Sequence, residues 1–350
     1  MSSQANLATD WRAGYGPIAH RSETIERMQA LVQRLVAQRR IADEASAHAL
    51  LAAADRVACT AMSVVAHMTY ARRIDRSGCP LGSDDFKQTP EGHTGGSLNM
   101  VPAFVGYLLA NALTGTTRGW LMGQGHCVAA IEAVNALTGD VSAAQRGRYD
   151  RSEAGLSLLI ADFYSYAIDK QGRPAVPLGS HAGPNTAGAI SEGGYLGFAG
   201  LQYVHTPLPG ESLVAFLSDG AFEEQRGSDW APRWWRAEDC GFAIPVMILN
   251  GRRIEQRTQI VQEGGATWLA EDLRHNGFDP VIVDGRDPMA IAWAIVEAED
   301  TLSAFAARSD RRYPVKLPYV IAETEKGFGF PGAATNAAHN LPLNGNPRED

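Results

Sequence analysis

Two apolar runs in this 350-residue chain stop in the same way. LVAFLSDG (residues 213–220) ends at Asp219-Gly220, and AIPVMILNG (residues 243–251) ends at Asn250-Gly251. Short, nearly continuous apolar runs bounded by turn residues are the pattern of strands buried on both faces, which parallel sheets require. Further runs at residues 120–122, 281–283 and 319–322 read the same way, and helix-like segments at 127–137 and 288–305 alternate with them. That order predicts an α/β fold, a parallel sheet covered by helices on both faces. In such sheets ligands bind outside the carboxyl ends of the strands, where Asp219 and Asn250 would stand.

Upstream, residues 22–72 carry apolar positions at three- and four-residue spacing and abundant alanine, which predicts helices. Residues 78–96 are rich in Gly, Pro, Asp and Ser and read as a long loop. The expected organisation is a helical extension over residues 1–75, a main domain over 76–343 and a mobile tail over 344–350.

The charge balance, 31 basic against 39 acidic residues, gives −8 with no basic block, which argues against a nucleic-acid or anionic-membrane surface. The amino terminus lacks the basic and apolar regions of a secretory signal, and no uninterrupted apolar stretch approaches a membrane span. Four scattered cysteines without a CxxC pair read as reduced thiols, so a cytoplasmic location is expected.

Four histidines sit in Gly- or Ala-rich loops: GHTGG at His93, GQGH at His126, GSHAGP at His181 and AAHNLPL at His339. Such loops allow close backbone approach to a ligand and expose N–H groups to phosphate. Neutral imidazole can donate to a phosphate or move a proton near neutral pH. Asp219 and Asn250, at the ends of neighbouring strands, offer oxygen donors suited to Mg²⁺ or Ca²⁺, although each is also an ordinary turn residue. No phosphate-binding GxxxxGK[ST] or dinucleotide GxGxxG pattern is present.

An Asp-Gly at one strand end with an Asn at the next, about thirty residues on, resembles the thiamine-diphosphate motif. The series GHTGG, GQGH, SHAGPNTAGAISEGGYLGF, SDGAFEE, LNGRRI, ETEKGFG and AHNLPL resembles the amino-terminal half of phosphoketolases and, more distantly, transketolases, over residues 92–343. The resemblance implies the diphosphate-binding (PP-type) fold. It implies Mg²⁺ held by Asp219, Asn250 and the Arg252 carbonyl, with Gly123, Gly125, Gly193, Gly194, Tyr195, Leu196, Gly220, Ala221 and His339 against thiamine diphosphate. His93, His126, His181 and His339 match catalytic histidines, and Glu224 or Glu223 an acid at a subunit contact. Three positions depart from the pattern: Ser218 replaces the first glycine of Gly-Asp-Gly, and ISEGGY carries Ser191 and Tyr195 where phosphoketolases have a histidine and an acid.

The chain has no room for the pyrimidine-binding domain of this family. The expectation is therefore a split enzyme, working with a separately encoded pyrimidine-binding, transketolase-like subunit as a heterotetramer. Its expected activity is transfer of a two-carbon ketol unit from a ketose, often phosphorylated, to an aldose. Phosphoketolase cleavage to acetyl phosphate is the alternative, and a non-catalytic cofactor-binding scaffold is the alternative from another class.

Overall fold

The computed structural model describes residues 11–165, 167–172, 207–224, 235–254 and 256–339. Five strands, β1 (Gly119–Met122), β2 (Ser212–Ser218), β3 (Phe242–Leu249), β4 (Phe278–Asp284) and β5 (Leu317–Glu323), form one sheet in the order β1-β2-β3-β5-β4. Every pairing in it is parallel. All five apolar runs read from the sequence are strands.

The helices that build the core are α1 (Ser22–Ala37), α2 (Glu44–Tyr70), α3 (Thr94–Thr114), α4 (Val128–Thr138), α5 (Glu153–Asp162), α6 (Asp219–Glu224), α7 (Gln259–Glu263), α8 (Ala266–His275) and α9 (Pro288–Ala306). Strand side chains alternate between two apolar clusters. Val214, Phe216, Ile244, Val246, Ile248 and Val320 join helices α1 to α5 and α9 on one face. Leu217, Met247, Leu249, Tyr319 and Ile321 pack with α8 on the other. Each fully buried Leu, Ile, Val or Phe removed from water contributes roughly 1.5–3 kcal/mol, so the sheet is held from both sides.

Helix α2 presents Ala47, Leu51, Ala54, Ala58, Ala61, Val65 and Met68 as one buried stripe, and Asp43 caps it by accepting from the Ser46 N–H at 2.7 Å. Helix α3 has no polar face over most of its length, because it lies between α2, α4 and α9. A Cβ on its Gly106 would stand 2.7 Å from the Pro288 carbonyl oxygen, so the contact with α9 needs glycine there. Both α2 and α3 are long and apolar enough to cross a membrane by composition, more than the sequence reading allowed for. Their packing in the core accounts for that character.

One buried polar cluster ties the chain ahead of α1 to two helices. His20 Nε2 lies 2.9 Å from Asp55 Oδ2 on α2, and His20 Nδ1 lies 3.0 Å from Asp287 Oδ2. Asp287 also caps α9, accepting from the Met289 N–H at 2.9 Å. Burial works against a charged imidazole, but the hydrogen bonds and charges of Asp287 and Asp55 more than reverse it and push the His20 pKa up to about 10. Burial also raises the Asp55 carboxyl.

Because the folded His20 pKa lies above its unfolded value, the ion-pair contribution is complete below about pH 6.5 and is lost as pH rises through about 10. Urea unfolding across that range should show the native chain losing stability while a His20→Ala variant, lower by about 3–5 kcal/mol at neutral pH, stays flatter. A native profile parallel to that of the variant would refute the ion pair.

Candidate active site

The open ends of β1, β2, β3 and β5 converge on one cleft. It is lined by Gly96, Gln124, His126, Ser218, Asp219, Gly220, Asn250, Arg252, Lys326 and His339, among others. In the register of β2 with β3, Ser218 stands opposite Ile248, which brings Asp219 beside the turn that carries Asn250. Asp219 is buried and opens α6. Its Oδ2 accepts from the Gly251 N–H at 2.7 Å, and its Oδ1 from the Gly220 N–H at 3.0 Å. Removal from water raises its pKa to about 7, against the pull of those two N–H groups and of the Lys326 charge. Ser218, the departure from glycine, accepts from the Ala221 N–H at 3.2 Å and so supports the turn.

Asn250 Oδ1 accepts from the Arg252 N–H at 3.1 Å and keeps a second lone pair. The Arg252 guanidinium reaches Asn336 and the Ala334 carbonyl, holding the loop before His339 against the β3 turn. Glu223 Oε1 accepts from the Ile260 N–H at 2.6 Å, which ties α6 to α7. Glu224 closes α6.

Three of the four histidines meet. The His93 ring lies edge-on to His126 at 5.0 Å and to His339 at 5.4 Å between centroids. His126 stands in the short turn after β1, whose Gly123 N–H continues the ladder to the Phe216 carbonyl at 2.8 Å. GHTGG is not all loop: His93 precedes α3, and Gly95 and Gly96 lie in its first turn. A Cβ on Gly95 would stand 1.7 Å from the Ala338 carbonyl oxygen, and one on Gly96 would be 3.1 Å from His126 Nε2. Two glycines therefore let the start of α3 enter between the histidine turns. His181, Gly193, Gly194, Tyr195 and Leu196 lie outside the described residues.

Sequence reasoning passed over three residues in or beside the cleft. Asn99 of α3 donates to the Glu325 carbonyl at 2.7 Å and fixes the loop after β5. Lys326, on that loop, is 4% exposed, and its Nζ lies 2.8 Å from His339 Nδ1. Gln124 is buried; its Nε2 donates to the Leu217 carbonyl at 3.3 Å, while its Oε1 has no hydrogen-bond partner among the described residues. The stretches GQGH and ETEKGFG contain Gln124 and Lys326, but neither motif points to those side chains.

Among the described residues no three His, Cys, Asp or Glu groups are set to hold a metal, so the histidines do not form a zinc-type cluster. The alternative donor set, one carboxylate, one carboxamide and a backbone carbonyl, is hard oxygen chemistry that suits Mg²⁺ completed by phosphate and water. The Gln124 acceptor in the same cleft, without a hydrogen-bond partner among the described residues, also fits a polar ligand there.

Comparison with known proteins adds a family. The family described as XFP N-terminal domain matches residues 46–349. A probable phosphoketolase of Streptomyces coelicolor is 32% identical over 47% of this chain and 23% of its own length. That of Pseudomonas putida is 26% identical over 75% of this chain and 35% of its own. The chain thus spans about a quarter to a third of these curated relatives. A solved transketolase mutant of Pichia stipitis aligns over 82% of this chain and 38% of its own, at 17% identity and a TM-score of 0.46.

Gly95→Ala tests the packing of the cleft. The added methyl collides with Ala338, so the loop carrying His339 must retreat, at a cost of about 1–3 kcal/mol in chemical denaturation. Unchanged stability would mean that the start of α3 and this loop are not in contact.

Proposed function

Since this chain belongs to the XFP N-terminal domain family, we propose that it is the diphosphate-binding part of a thiamine-diphosphate enzyme that breaks a ketose, often phosphorylated, beside its carbonyl. One observation carries this reading. The oxygen donors Asp219 and Asn250 and the imidazoles of His93, His126 and His339 line or adjoin a single cleft at the strand ends.

In this reading Asp219 and Asn250 side-chain oxygens and the Arg252 carbonyl would hold Mg²⁺, which neutralises the diphosphate. Gly123, Gly125, Gly220 and Ala221 would lie against the cofactor. Bound there, thiamine diphosphate supplies the carbanion-stabilising centre for the two-carbon unit. The chain's own part is position and proton handling. Buried backbone turns fix the metal donors, and a histidine beside the ketose hydroxyls takes the proton released as the carbon–carbon bond breaks. Such proton transfer is worth about 10²–10⁴ in rate.

The acceptor separates two outcomes. Family membership and the names of the relatives favour phosphate, hence phosphoketolase cleavage to acetyl phosphate. Ser191 and Tyr195, in place of a histidine and an acid, favour an aldose acceptor and transketolase-like transfer. The chain spans about a quarter to a third of its curated relatives, and we propose that the aminopyrimidine contact comes from a pyrimidine-binding, transketolase-like partner in a heterotetramer.

Calorimetry with thiamine diphosphate and Mg²⁺, with the partner present, should show binding that Asp219→Ala weakens by more than the roughly 10–100-fold that loss of an outer-shell metal partner costs. No binding by the native protein favours a non-catalytic scaffold; normal affinity in the variant removes the metal assignment. His93→Ala should keep cofactor affinity and lose about 10²–10⁴ in turnover in the reconstituted complex. Product analysis with and without inorganic phosphate divides the two outcomes: phosphate-dependent acetyl phosphate excludes the transketolase-like reading.

A further inference from the structure

One of the three clustered imidazoles, His339, has a cation fixed against one ring nitrogen, with Lys326 Nζ 2.8 Å from Nδ1. An ammonium carries three donors and no acceptor, so Nδ1 must offer its lone pair. In a neutral imidazole the proton then sits on Nε2, at the other side of the ring. We infer that Lys326 is a positioning residue that fixes His339 as the Nε2–H tautomer, so that His339 serves the cleft as a hydrogen-bond donor and not as a proton acceptor. This deepens the function proposed above and rests on it only for the identity of the group that the donor meets, a diphosphate or ketose oxygen.

Lys326 is held along its whole length. Its N–H donates to the Asn250 carbonyl at 3.2 Å, and its carbonyl accepts from the Ala334 N–H at 2.9 Å. Its Cγ lies 3.1 Å from where a Cβ on Gly95 would be, and its Nζ lies 3.5 Å from the Ile254 carbonyl oxygen. The His339 backbone is fixed as well, its carbonyl accepting from the Gly95 N–H at 3.3 Å. The backbones of both residues are therefore tied down, that of His339 to the start of α3. Protonating His339 would set an imidazolium against the buried Lys326 ammonium. Burial first, then the Lys326 charge and His93, hold the His339 pKa down at about 3.

The test uses the full chain without cofactor, labelled with ¹⁵N-histidine, and reads tautomers from long-range proton–nitrogen correlations. His339 is assigned by the signal missing from His339→Gln. The expected pattern is a bare, hydrogen-bonded Nδ1 and a protonated Nε2 near neutral pH. In Lys326→Met, which keeps the packed stem and removes the ammonium, the Nδ1 hydrogen-bond shift should vanish and both tautomers should be populated. A native His339 protonated at Nδ1 overturns the inference, as does a variant with the native nitrogen pattern. Should the variant fail to fold, the native tautomer decides alone. Since no cofactor is present, either failure is distinct from failed thiamine diphosphate binding in calorimetry.

Discussion

The architecture follows from burying one parallel sheet on both faces. With Val246 and Ile248 facing one helical layer and Met247 and Leu249 the other, strand β3 has no side on which a polar group could stay hydrated. Polar side chains are displaced to the strand ends, where the ladder stops and turns begin. Asp219 and Asn250 occupy adjacent ends because β2 and β3 are parallel neighbours in register. The cleft is thus a consequence of the core, and the donors converge without any separate element built to hold them.

A second constraint, the absence of side chains at Gly95 and Gly96, gives the cleft its other wall. Helix α3 enters beside the loop of Lys326 and His339 at a distance that admits no Cβ. Asn99 holds the same loop from one turn further along the helix, and the Arg252 guanidinium holds it from the β3 turn. The turn that carries Asn250 and the imidazoles are therefore braced by the same few contacts. A disturbance at the start of α3 reaches both.

These two constraints differ in how far they can be read before the structure. Runs such as residues 244–249 declare themselves by length, apolarity and the turn residues that end them, and α2 by its spacing. Helix α3 does not, because it is apolar on every side: SLNMVPAFVGYLLANALT has no period to detect, and its start was read as part of the preceding loop. The motif histidines were legible as individuals, and His93, His126 and His339 do meet. Lys326 was not, since a lysine beside glycine in a loop looks like any solvated charge; only its burial against Gly95 and His339 shows otherwise. His20 was equally silent, because its carboxylate partners lie 35 and 267 residues away in sequence.

The neighbours of the three imidazoles divide the chemistry of the cleft. Motif reasoning places His93, His126 and His339 in one class, as histidines near a diphosphate or a reacting carbon. A cation against one ring nitrogen breaks that equivalence, because a ring that must accept at Nδ1 has only a donor left to offer. Donation suits oxygens that remain negative, or become so, throughout a reaction. Proton acceptance suits the hydroxyl whose proton leaves. Under the proposed function both are needed within 5.4 Å between ring centres, and fixed neighbours assign them where identical rings in identical surroundings would compete for one proton. Lys326 makes that assignment here through its place between Gly95 and Asn250, and the same placement sets its charge near enough to act on Asp219.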